Sequence, residues 1–176
     1  VLDGRAGPDI LDGGRGNDTY VVDEAQDSII ELGSKDIDVV SSNITWTLGL
    51  NLENLILTGN APINGYGNLL ANNIAGNAAS NELIGGAGND LLSGNGGNDI
   101  LTGGVGNNTL SGGEGTDTAI FSDLLVGISV DLTAGKAQSI GINTLLGVEN
   151  ITATPFADTI SGDSNNNQLV GMDGNN

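Results

Sequence analysis

Residues 85–120 read GGAGNDLLS, GNGGNDILT, GGVGNNTLS and GGEGTDTAI, four units of nine residues with no insertion. The sixth place of these units holds Asp90, Asp99, Asn108 and Asp117, and the eighth holds Leu92, Leu101, Leu110 and Ala119. A short fixed period is the mark of a stacked architecture. Glycine tolerates positive φ and close backbone approach, so the first six residues of a unit can make a tight turn. The last three suffice for one short strand whose middle residue points inward. Two units then make one coil of turn, strand, turn and strand. A single coil cannot bury its own apolar face, so coils must stack and bury a ladder of eighth-place residues. The period therefore predicts an all-β, right-handed parallel β-roll or β-helix solenoid.

The period continues outward in weaker form. Asn81 with Leu83 and Asn72 with Ile74 fit the same two places. Near the start, Asp9 with Leu11 and Asp18 with Tyr20 repeat at nine, and GGRGNDTYV at 13–21 is a full match. Near the end, Asp158 with Ile160 and Asn167 with Leu169 repeat again, and Asn176 takes the next acidic place. The chain opens and stops in mid-repeat, which reads as a piece of a longer array. Between the arrays, Ile44, Trp46 and Leu48 alternate with polar neighbours, as do Val126, Ile128, Val130 and Leu132. Period two means strand. Both intervals close alike, on Leu52-Glu53-Asn54-Leu55 and Val148-Glu149-Asn150-Ile151, which read as structural corners. The expected organisation is repeats at 1–20, a wider strand-rich spacer coil at 21–66, an array at 67–120, a second spacer coil at 121–157 and a further array from 158 to 176. No helical period appears, and the glycine density opposes helix.

Stacking places the turns of alternate units on one edge, Asp99 with Asp117 and Asp90 with Asn108. Carboxylates stacked this closely repel unless a cation lies between them. Turn backbones add carbonyl oxygens, so the edge is a hard, oxygen-only environment of the kind that suits calcium. Magnesium prefers a strict octahedron that retains water. The nonapeptide resembles the RTX, or haemolysin-type, calcium-binding repeat family, most closely at 13–21 and 85–120. That resemblance implies several calcium ions held between coils by Asp side chains and turn carbonyls. Carried onto this sequence, the ligands are Asp9, Gly13, Arg15, Asp18, Gly85, Ala87, Asp90, Gly94, Gly96, Asp99, Gly104, Gly106, Asn108, Gly113, Gly115, Asp117 and Asp158. Asn72, Asn81, Asn108 and Asn167 depart from the pattern. They either ligate through an amide oxygen or build hydrogen-bonded ladders at metal-free turns. Arg5 and Pro8 disturb the first unit.

Composition limits the other functions. There are 30 glycines, well above the usual share of about 7%. Aromatics make up only 3%, so the interior is a thin core of Leu, Ile, Val and Ala. Twenty-two acids against four bases give a net charge of −18. Such a chain cannot neutralise phosphates, which argues against nucleic acid and against an anionic membrane surface. No stretch approaches the roughly 20 apolar residues of a membrane span. An export signal would lie outside this segment or be of a type read elsewhere. Without Cys or His there is no disulfide, thiolate or imidazole chemistry. Asp163–Asn167 hints at an EF-hand, but Gln168 stands where that loop needs Gly and Gly174 where it needs Glu. No Lys follows the glycine loops in phosphate-loop order. Trp46 reads as core or an end cap rather than a sugar platform. No catalytic constellation is visible, so the expectation is a non-enzymatic module of a larger secreted or surface exoprotein. The competing readings are an adhesin or surface-layer module for glycan, ice or neighbouring molecules, and an accessory module of a secreted enzyme.

Overall fold

A computed structural model describes residues 1–33 and 35–174. The place assigned to Asn176 lies outside the described residues. The described chain is all strand and turn, with parallel strands stacked as a β-solenoid of about 9 coils. None of its elements is a helix long and apolar enough to cross a membrane.

Two sheets face each other. In the 11-stranded sheet, Leu2, Tyr20, Val40, Leu55, Ile74, Leu92, Leu110 and Leu145 are successive register partners. In the 7-stranded sheet the series is Trp46, Gly65, Leu83, Leu101, Ala119, Ile151 and Leu169. From Tyr20 to Leu110 and from Leu83 to Ile151 these ladder side chains are completely buried. The strands on either side of Asp90 and Asp99 therefore sit on a continuous apolar spine, as the eighth-place residues predict. A third, 2-stranded sheet pairs Ile10–Gly14 with Ser28–Glu31. Trp46 lies half-buried on the last strand of the 7-stranded sheet, against the core, which is the end-cap position.

The core is thin enough that one ladder place must be empty. A Cβ on Gly65 would stand 3.0 Å from Ile74 Cγ2, 3.1 Å from Leu55 Cδ2 and 3.3 Å from Leu83 Cδ2. All three neighbours are fully buried and fixed by the ladders, so none can retreat. Overpacking of this kind costs about 1–3 kcal/mol. The entropic gain of Gly→Ala in the unfolded chain, about 0.4–1 kcal/mol, is smaller. Gly65→Ala is therefore expected to lower stability by about 1 kcal/mol in calcium-saturated chemical denaturation. A more stable variant would show that the two ladders are less tightly engaged.

The spacers depart from the strict coil in different ways. In the first, Tyr20 pairs with Val40, Val40 with Leu55 and Leu55 with Ile74, so coil length varies while the inward register is kept. Val22, Ser42 and Leu57 fill a second inward place that the arrays give to glycine. The second spacer is not one wide parallel coil. Ser129–Asp131 pairs antiparallel with Lys136–Gln138, which pairs antiparallel with Ile142–Leu146. The cause is a tight reversal at Leu132–Gly135. Asp131 Oδ1 accepts the Ala134 N–H at 3.0 Å, and Gly135 takes φ 62°. Ile128, Val130 and Leu132 point inward as the alternation predicts, but Val126 is exposed, because the chain has not yet entered its strand.

Candidate calcium-binding edges

Most sixth-place residues form a rung between coils, made by a backbone N–H of one coil and a side-chain oxygen of the next. On one edge, Asp18 N donates to Asp38 Oδ1 (2.7 Å) and Asp38 N to Glu53 Oε2 (3.0 Å). The series continues through Asn72 N to Asp90 Oδ1 (2.8 Å), Asp90 N to Asn108 Oδ1 (2.9 Å) and Asn108 N to Asn143 Oδ1 (3.0 Å). On the other edge, Asn81 N donates to Asp99 Oδ1 (2.7 Å), Asp99 N to Asp117 Oδ1 (2.7 Å) and Asp117 N to Glu149 Oε2 (2.8 Å). At the start of the chain, Asp9 N donates to Asp27 Oδ1 at 3.1 Å. Where the acceptor is Asp38, Asp90, Asp99 or Asp117, the rung uses one carboxylate oxygen and leaves the other to be satisfied.

That second oxygen separates Asp from Asn. Oδ2 of Asp9, Asp38, Asp90, Asp99 and Asp117 is buried with no hydrogen-bond partner. Leaving such an oxygen unpaired costs about 1–3 kcal/mol or more for a charged group. The Asn rungs do not have this problem. Asn81 Nδ2 donates to Ile63 O at 2.6 Å, Asn72 Nδ2 to Leu52 O at 3.1 Å and Asn167 Nδ2 to Glu149 O at 2.9 Å. Asn108 Nδ2 turns back into its own turn and reaches Gly104 O at 3.3 Å. Asp158 differs from the other Asp residues: Oδ1 accepts from Ile128 N and Thr154 Oγ1, and Oδ2 from Thr154 N.

Backbone oxygens converge on the same places. A Cβ on Gly94 would overlap Asp99 Oδ2 and lie 2.6 Å from Gly112 O of the coil above. On Gly112 it would overlap Asp117 Oδ2 and Gly147 O, and on Gly85 it would overlap Asp90 Oδ2. First-place glycine therefore clears a space lined by a carboxylate and a carbonyl. The carbonyls of Gly86 and Gly88 aim at Gly104 and Gly106, and those of Asn95 and Gly97 at Gly113 and Gly115, so a Cβ on any of these four upper glycines would overlap an oxygen below. Positive φ of 104° at Gly86 and 119° at Gly88 makes this carbonyl orientation possible. Ala87 N donates to Asn68 O (3.2 Å) and Gly96 N to Asn77 O (3.4 Å), tying third-place residues to the coil beneath. Gly13 stands where Tyr20 Oη and Asp18 Oδ2 meet. Arg15 is exposed and borders a shallow cleft with Leu32, Gly33, Lys35 and Asp36.

The donor set is thus oxygen only: unpaired carboxylate oxygens with turn carbonyls, and no nitrogen or sulfur ligand. It fits a hard cation with flexible coordination, which is calcium. Burial pushes the Asp90 and Asp99 carboxyls up to about 6 and also raises Asp117. A carboxyl whose folded pKa exceeds its unfolded 3.8 favours the fold when protonated. The metal-free fold accordingly gains stability as pH falls from about 6 towards 3.8 and loses it as pH rises through that window. Calcium needs the ionised form. Its affinity is therefore expected to weaken by about tenfold per pH unit below about 6 for each such carboxylate, read by calorimetric titration. A pH-independent affinity would show that these carboxylates are not ligands.

Some rungs lie outside the glycine-rich units and escape a search for them: Asp38, Glu53, Asn143 and Glu149. Each nevertheless stands two residues before an inward apolar residue, Val40, Leu55, Leu145 and Ile151. That spacing is the same as Asp99 to Leu101 and is the signal by which they could be found.

A comparison with curated proteins finds no match. The profile of the RTX calcium-binding nonapeptide repeat matches four times, over residues 1–29, 66–101, 85–119 and 143–176. These matches cover both edges and most of the rungs described above, and the chain belongs to the RTX calcium-binding nonapeptide repeat family.

Proposed function

We propose that this chain is the calcium-dependent structural part of a larger exported bacterial protein, folding outside the cell and stabilising what it is attached to. Calcium binding and a structural β-solenoid belong to the family; extracellular folding and support of secretion are the further step. The carrying observation is the set of buried, unpartnered Asp oxygens on an otherwise satisfied ladder. Between the turns 94–99 and 112–117, Asp99 Oδ2 and the carbonyls of Asn95, Gly97 and Gly112 would hold one ion. Equivalent positions around Asp90 and Asp117 would hold others. Asp9 and Asp18 supply the carboxylates of the first repeats. Asn rungs, with amide nitrogens already bonded, join coils without metal. Extracellular calcium modules bind at about 10⁻⁴–10⁻³ M. At cytosolic calcium the edges would stay charged and the chain loose, a state suited to passage through a type I secretion channel of the sort used by members of this family.

Equilibrium dialysis of chelator-stripped protein tests the binding directly. Several ions per chain are expected, with half-saturation at about 10⁻⁴–10⁻³ M calcium and no displacement by equimolar magnesium. Absence of bound calcium at millimolar levels would end the reading.

A further inference from the structure

Outside the array turns, one acidic group is closed in by the first spacer. Asp18, Glu31 and Asp38 each bring a carboxylate oxygen within 4.8 Å of those of the other two. Asp38 is completely buried, and Glu31 is buried at the end of strand Ser28–Glu31. The second observation is the state of Asp38: Oδ1 accepts the Asp18 N–H, but Oδ2 is buried with no partner. Among the described residues, no Lys or Arg forms an ion pair with any of the three. Glu31 is held in place from two sides. Tyr20, itself fully buried, donates its hydroxyl to Glu31 Oε2, and Gly33 N donates to Glu31 Oε1 at 2.8 Å. Gly13 leaves open the space in which Tyr20 Oη and Asp18 Oδ2 approach.

Three converging carboxylates without a countercharge, with Asp38 Oδ2 unpaired and Glu31 held by two donors, form an oxygen cage of high negative charge. We propose that Asp18, Glu31 and Asp38 form a calcium site of their own, in which two ligands come from the spacer rather than from the nonapeptide pattern. The inference rests on the calcium-module reading and extends it. An array position brings two stacked carboxylates, Asp99 with Asp117, together with carbonyls, whereas this group brings three carboxylates together. Affinity for calcium rises with ligand charge, so this site fills before the array. It also fixes the coil that joins the first repeats to the rest of the solenoid. The ligand is a hard divalent ion, and Tyr20 is a positioning residue that acts through Glu31.

Calcium stoichiometry and terbium luminescence test it. Terbium is an oxygen-seeking ion of similar size that emits when an adjacent aromatic ring is excited. The Glu31→Gln/Asp38→Asn double variant should bind one ion fewer than the wild-type chain, and the missing ion should be the tightest. Unchanged stoichiometry and unchanged first-phase affinity would overturn the proposal. If the double variant does not fold, Tyr20→Phe decides: it keeps ring bulk and all three carboxylates, so it should retain the calcium count while losing most tyrosine-excited terbium emission. Emission undiminished in Tyr20→Phe would overturn the site. Wild-type protein that binds no calcium would instead overturn the family-based reading, and this site with it.

Discussion

Chelation is expected to abolish most of the far-UV β signal of this chain, and calcium, not magnesium, to restore it in one cooperative step. The physical reason lies in the edges rather than in the core. The ladders from Tyr20 to Leu110 and from Leu83 to Ile151 are well buried, but they are thin, and one place is a bare glycine. Such a core opposes about 1–2 kcal/mol of backbone entropy per ordered residue. Asp38, Asp90, Asp99 and Asp117 are meanwhile held in the interior with one oxygen unpaired each. Four basic residues in the whole chain cannot neutralise them. Each ion at tenfold excess over its dissociation constant adds about 1.4 kcal/mol, and several ions together approach the usual 5–15 kcal/mol of a whole domain. An ion held between the Asp of one coil and the carbonyls of the next would bridge two coils, so filling one site would order the neighbours of the next and make the transition steep. Magnesium fails because carbonyl-rich turns do not present a small octahedron and do not repay its dehydration. Spectra that are identical with and without calcium would refute the folding switch. The rung hydrogen bonds would then be sufficient to hold the coils.

How far the sequence reveals this depends on which feature is asked for. The nine-residue period determines the parallel stack, because each unit points one apolar side chain inward and its register is repeated from Ile74 through Leu110. The same period locates Asp90, Asp99 and Asp117, whose unpaired oxygens the structure confirms as buried. Three features were less visible. The antiparallel excursion at 129–146 depends on a four-residue reversal at Leu132–Gly135, and alternation alone cannot tell a parallel strand from an antiparallel one. Asp158 has the right spacing to Ile160, but Thr154 folds back over its carboxylate, a tertiary contact that spacing does not encode. Glu31 and Asp38 meet Asp18 although neither lies in a nonapeptide unit, and the interval from Tyr20 to Val40 is longer than an array coil, so the period does not mark them. The sequence leaves the role of the Asn turns open, and amide geometry shows how they can join coils: the nitrogens of Asn72, Asn81, Asn108 and Asn167 each donate to a carbonyl.

That contrast predicts a substitution whose sign depends on calcium. In Asp99→Asn, the new Oδ1 would keep the 2.7 Å bond from Asn81 N, and the new amide would replace the unpaired Oδ2. Asn108 shows the arrangement such an amide can adopt, donating into its own turn to Gly104 O. The equivalent acceptor for residue 99 is Asn95 O. Without calcium, the variant removes a buried unpaired charge and is expected to gain about 1–3 kcal/mol. With calcium, it removes an ionised ligand beside Gly112 O, so the ion bridging the two coils is weakened or lost. At about thousandfold excess over the dissociation constant, that loss is about 4.1 kcal/mol, which exceeds the gain of about 1–3 kcal/mol and reverses the net sign. Two measurements read the two signs. Urea denaturation in saturating calcium should show a lower midpoint for Asp99→Asn than for the wild-type chain. In chelator, where osmolytes that strengthen burial can drive folding, the variant should reach its β spectrum at a lower osmolyte concentration. Asp117→Asn should behave in the same way, since its Oδ2 meets Gly147 O at the next coil. A Ser80→Ala control tests a rung of another kind, because Ser80 Oγ only accepts the Asn98 N–H at an exposed turn; it should shift stability equally in both conditions. If Asp99→Asn also moved both measurements in the same direction, its unpaired oxygen would be a structural defect of the turn and not a ligand awaiting its ion.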